Sequence, residues 1–92
     1  MDRPPFPPTR AAADEEIVTE SAAFEPCEAA LQALAARGAG SVTERQYSVS
    51  PEWGNVLRAK VDMAGGAISV PVIVWRKPGE GVQLYVDMGR ER

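Results

Sequence analysis

From Asn55 onward the chain is written in alternation. Leu57, Ala59, Val61 and Met63 fall at every second position, and Ile68, Val70, Val72 and Val74 repeat the pattern beyond Gly65-Gly66. A period of two places each set on one face of an extended strand. A two-residue Gly-Gly turn uses the positive φ that glycine tolerates, and it fixes the register of the hairpin. Leu57 then opposes Val74, Ala59 opposes Val72, Val61 opposes Val70 and Met63 opposes Ile68. The next turn is Pro78-Gly79-Glu80-Gly81. A two-residue loop there would set Gln83 against Val74, and a slip of one residue turns every side chain to the other face. A three-residue loop closed by Gly81 sets Val74 against Leu84, Val72 against Val86 and Val70 against Met88. Both turns give the same apolar face, so a three-stranded antiparallel meander is expected over residues 55–88. Pro71 strains this scheme, because it lacks the N–H that a central strand contributes to its ladder. A bulge or local splaying at Lys60–Pro71 is the expected remedy.

Upstream the period changes. Cys27, Ala30, Leu31 and Leu34 recur at three and four residue steps, one apolar face of a helix over 26–37. Pro26 suits the first helical position, Glu28 can reach back to the cap, and Phe24 can staple against Ala29 or Ala30. Arg37 and Gly38 end the helix. Residues 42–49 read as a strand with Tyr47 and Val49 inward and Glu44 and Gln46 outward. The turn that follows, 50–55, carries Trp53, either folded back as a lid or standing out as an anchor. Pro4, Pro5, Pro7 and Pro8 around Phe6 make an extended arm. Residues 11–20 read as an acidic linker, in which Ile17 and Val18 could add an edge strand. The expected fold is α+β: one helix packed on a four-stranded antiparallel sheet, an α-β-β-β-β meander. Residues 1–23 are its arm and linker, and 24–92 its single small domain.

Composition narrows the chemistry. The chain has no histidine and one cysteine. It therefore cannot assemble a Ser-His-Asp or Cys-His site, the usual zinc sets or an internal disulfide. No cofactor, metal or catalytic residue is expected, and the reading is non-enzymatic. Cys27 is read as a small buried hydrophobe, with a reactive thiol in the first helical turn as the competing reading. A domain of this size buries a modest core and gains from a partner chain. Six acidic residues and no basic one lie between Asp14 and Glu28, so the front of the chain is an acidic segment. Arg outnumbers Lys eight to two, a bias associated with GC-rich bacterial and phage genomes. Met1-Asp2-Arg3 leads into prolines rather than an apolar run, and no stretch reaches the ~20 apolar residues of a membrane span. No membrane contact is expected, and the expected location is the cytoplasm.

The opposite face of the meander is not conventionally polar. Arg58, Lys60, Ile73, Trp75 and Tyr85, joined by Trp53, gather aromatic, apolar and basic groups of the kind that anchor interfaces. One expectation is a protein-binding domain, an adaptor or an inhibitor of the kind phages encode, anti-CRISPR proteins among them. It would act through this face, or through an acidic contact segment of Asp14, Glu15, Glu16 and Glu20. A blander expectation is that the arm, with Phe6, Ile17 and Val18, covers the face. The same residues would also suit a protein that binds single-stranded nucleic acid, with bases stacked on the aromatics, or a homodimeric structural protein.

Overall fold

The computed structural model describes residues 5–19, 22–38, 40–63 and 68–87. The fold is α+β, with one helix on a five-stranded antiparallel sheet in the order β1-β2-β3-β4-β5. Strand β1 is Glu16–Val18. A 3-10 turn, Ala22–Phe24, leads into helix α1, Glu25–Arg37. Strands β2 (Ser41–Ser50), β3 (Gly54–Met63), β4 (Ile68–Arg76) and β5 (Gln83–Val86) follow as a meander. The sheet thus has one strand more than the four expected. Ile17 and Val18 supply it, pairing with Ser48 and Tyr47.

The register between β3 and β4 runs without interruption from Asn55↔Arg76 to Met63↔Ile68, with Leu57 opposite Val74. Between β4 and β5, Val72 meets Val86 and Val74 meets Leu84. These are the pairings the two turns predict. The Gly65-Gly66 turn itself, Met88 and the charged tail lie outside the described residues. At the other turn, the Glu80 N–H donates to the Lys77 carbonyl (2.9 Å) and Gly79 takes φ +83°. That is the type II geometry that Pro-Gly favours. The β2–β3 hairpin closes on Gly54, at φ +85°, where a Cβ would press on the Arg76 carbonyl.

No bulge forms at Pro71, contrary to expectation: Lys60 and Pro71 stay in register. The Pro71 carbonyl accepts from the Asp87 N–H (2.9 Å), so this residue turns its backbone polar side toward β5. A residue's N–H and C=O point to the same side of an extended strand, so the missing donor faces β5 as well, just past its last residue, Val86. The ladder to β3 therefore loses nothing.

The irregularity falls instead in β2, where the register shifts between Thr43 and Gln46. Glu44 sits there at φ 54°, a left-handed backbone. One extra residue lets Val42 and Arg45 both face the helix, while Thr43 and Gln46 both face away.

On the inner face, Cys27, Leu31 and Ala35 of α1 pack on Leu57, Ala59, Val61, Val70, Val72 and Val74, all buried. Phe24 is the N-cap, Pro26 lies within the first turn, and no side chain caps the helix. Phe24 packs edge-on against Tyr47 (5.1 Å between centroids). Glu28 does not reach back to the cap as expected. It accepts from Arg45 (2.8–3.1 Å), Tyr47 (3.3 Å) and Gln32 (2.9 Å), pinning the helix to β2. Hydrogen bonding to Arg45 holds its carboxyl below the ordinary value. Cys27 is fully buried, and burial pushes its thiol up to about 11. A thiol reagent is therefore expected to label Cys27 only when the protein unfolds; fast labelling of the native protein would reverse that assignment.

Candidate functional site

The outer face of the sheet carries a second layer, built from the N-terminal segment. Phe6 lies flat on Tyr85, with ring centroids 3.8 Å apart and planes 5° from parallel. Pro7 is completely buried. Trp53 folds back from its turn as a lid and meets Trp75 edge to face at 5.9 Å. Its turn is shaped by the Ser50 hydroxyl, which accepts from the N–H groups of Glu52 (3.1 Å) and Trp53 (3.0 Å). With Val56 and Ile73 these residues form a small second core.

A buried ion pair locks the arm down. Arg58 grips Glu15 with both terminal nitrogens, at 2.7 and 2.9 Å, and its Nε donates to the Pro8 carbonyl at 2.9 Å. The Ser48 hydroxyl donates to Glu15 (2.8 Å) and accepts from Arg58 (3.2 Å). Only 1% of the Glu15 side chain and 8% of that of Arg58 are exposed. Burial pushes the Glu15 carboxyl up. The hydrogen bonds from Arg58, Ser48 and the backbone, together with the Arg58 charge, outweigh that and hold it below its ordinary value. Fork-to-fork pairing of this kind is the strongest geometry a guanidinium offers a carboxylate.

Six residues were expected on an exposed aromatic and basic face. Ile73, Trp75 and Arg58 are 2%, 4% and 6% exposed, so for these three that expectation is corrected. Trp53 and Tyr85 are half-buried and Lys60 is exposed. Tyr85 is covered by Phe6 and Trp75 by Trp53, so neither ring presents a free stacking surface to a base. The acidic segment divides as well: Asp14 and Glu16 are exposed, Glu15 is turned inward, and Glu20 lies outside the described residues.

The open part of the outer face is a groove of about 420 Å³ beyond the arm. Thr9, Arg10 and Ala11 form one wall, and Gln46, Lys60 and Pro71 lie across the sheet. Glu44, on the strained bulge, stands at the rim with its carboxylate 3.7 Å from the Lys60 ammonium. Sequence reading missed Arg10 and Gln46. Neither belongs to a periodic pattern, and only the docked arm brings Arg10 beside the sheet. Among the described residues no group of three or more His, Cys, Asp or Glu could hold a metal, and no helix is long and apolar enough to cross a membrane. No family model, curated protein or solved structure matches the chain.

Proposed function

We propose that the protein is a non-enzymatic protein-binding domain of the adaptor or inhibitor class, which meets its partner with the open end of its outer sheet face. What carries the reading is the division of that face. Its aromatic half is occupied by the chain's own arm, while Arg10, Gln46 and Lys60 line a groove open to solvent. Arg10, and Lys60 once its loose 3.7 Å pairing with exposed Glu44 is exchanged, with an amide beside a proline floor suit an extended, acidic segment of a partner protein, gripped by charge and by side-chain hydrogen bonds. A left-handed, non-glycine residue such as Glu44 costs on the order of 1 kcal/mol and persists where surrounding structure holds it, commonly at binding sites. Asp14 and Glu16, exposed on the arm and β1, extend the contact surface toward basic groups of the same partner.

Arg10 and Lys60 together supply the test. In the doubly reversed variant Arg10→Glu, Lys60→Glu, capture of a partner from the organism's own lysate is expected to fall at least tenfold, with an unchanged melting temperature. Undiminished capture would remove the groove from the interface. Single-stranded nucleic acid would compete for the same cations. Oligonucleotide binding that weakens steeply with salt would replace the protein reading, because phosphate contacts release counterions.

A further inference from the structure

We infer that β5 is a self-association edge, at which a second copy of the chain adds its own β5 in antiparallel fashion and joins the two sheets into one of ten strands. The two edges of the sheet are finished differently. Strand β1 is three residues long and begins with a glutamate, Glu16, as edges protected against pairing commonly are. Strand β5 reads Gln83-Leu84-Tyr85-Val86, with neither a charge nor a proline. The Asp87 N–H donates inward to Pro71. By the alternation of a strand, Tyr85 and Gln83 also turn their backbone groups to β4, and Leu84 and Val86 turn theirs to the outer edge, which pairs with no other strand among the described residues.

The side chains beside that edge are apolar. Leu84 is 39% exposed, on the helix side of the sheet. Val82 and Val86 are half-buried beside it. The helix packs on β2, β3 and β4, and its two flanks differ. Glu28 and Gln32 line the flank toward β2, where Arg45 meets them. Ala30 and Leu34 fall on the opposite flank by helical spacing, and both are half-buried. A strip of apolar side chains thus runs from the helix flank across Leu84 and Val86 to the edge. Its charged neighbour is Arg76, on the same side of β4 two residues past Val74, whose Nε is held by the Glu80 carbonyl at the Val82 end.

Charge and symmetry select a second copy as the occupant. A two-fold axis at Leu84 opposes Leu84 with the partner copy's Leu84, and Val82 with its Val86. Each apolar residue from Val82 to Val86 on the helix side then meets another, and the charged Asp87 falls just beyond that stretch, opposite the partner copy's Gly81. Two chains of net charge −3 therefore meet without like charges opposed in the pairing. An isologous contact of this form closes at two copies and leaves only the protected β1 edges outside.

Sedimentation velocity of the full chain over a rising concentration series is the first measurement, with a dimer of twice 9.9 kDa expected. Leu84→Lys should yield monomer at the same concentrations with an unchanged circular dichroism spectrum, since the side chain it replaces is partly exposed. In Leu84→Cys the two introduced thiols would sit on the axis, in a hydrogen-bonded pair whose Cα separation of ~5.5 Å suits a disulfide. Mild oxidation of the folded protein should then link two chains covalently, while buried Cys27 stays reduced. A wild type that stays monomeric at all concentrations, or a Leu84→Lys variant that still dimerises, would overturn the inference. So would dimers of Leu84→Cys that fail to cross-link.

Discussion

Replacing Arg58 by alanine is expected to cost about 3–5 kcal/mol of folding stability, the usual penalty for removing one partner of a buried ion pair. The loss is large because Glu15 cannot relax into solvent without taking the arm with it. Its carboxylate sits between Arg58 and Ser48, and Pro7 and Phe6 lie on the sheet beside it. A domain of this length loses about 4–8 °C for each kcal/mol, so thermal denaturation should show a fall of more than about 12 °C. An unchanged melting temperature would mean that the pair does not hold the arm. The double replacement Arg58→Met, Glu15→Leu should recover much of the loss, because it leaves no charge uncompensated. Acid should act in the same direction as the single variant. The folded-state pKa of Glu15 lies below its unfolded value, so its contribution is complete above the unfolded value and disappears as pH falls through the folded one. Tryptophan emission followed during an acid titration would report this, since Trp53 and Trp75 lie beneath or beside the arm.

Trp75→Ala should cost a similar amount, about 3–5 kcal/mol, as expected for a large aromatic removed from a core. Trp75 is 4% exposed, pairs with Val56 across the strands and takes Trp53 against its ring. Alanine would leave a void that neither β3 nor Trp53 can collapse to fill. Guanidinium denaturation should show the midpoint falling, while the binding proposed for the Lys60 groove should persist wherever the variant remains folded. Binding lost at full stability would return Trp75 to the interface.

The meander was legible because its information is local and redundant. Two turns and one alternation agree on a single register, and Leu57 opposite Val74 follows by counting. The fifth strand was legible only as an option. Ile17 and Val18 are too few for a period, and pairing with β2 decides them. The site was harder for a physical reason. An exposed binding face and a second core need the same residues, and Trp75, Ile73 and Tyr85 serve either. Arg58 held the clue, since a guanidinium between Val56 and Ile73 calls for a carboxylate. The acidic run offers several candidates, and nothing in its order marks Glu15. Pro71 misled for a comparable reason: its missing donor matters only on the side of the strand it faces, and that side depends on where β5 stops.

The arm's attachment also bears on the order in which the chain assembles. Its anchors join residues far apart in sequence, Pro8 and Glu15 to Arg58, and Phe6 to Tyr85. The β2–β3 and β3–β4 hairpins join near neighbours, and contacts that close short loops form sooner than those that close long ones. The segment nearest the N-terminus is synthesised before the sheet it covers, and the residue that Phe6 stacks on, Tyr85, belongs to the last strand. The stacking of Phe6 therefore requires β5, whereas Pro8 and Glu15 require only Arg58 of β3 and Ser48 of β2, so the two ends of the arm depend on different parts of the meander.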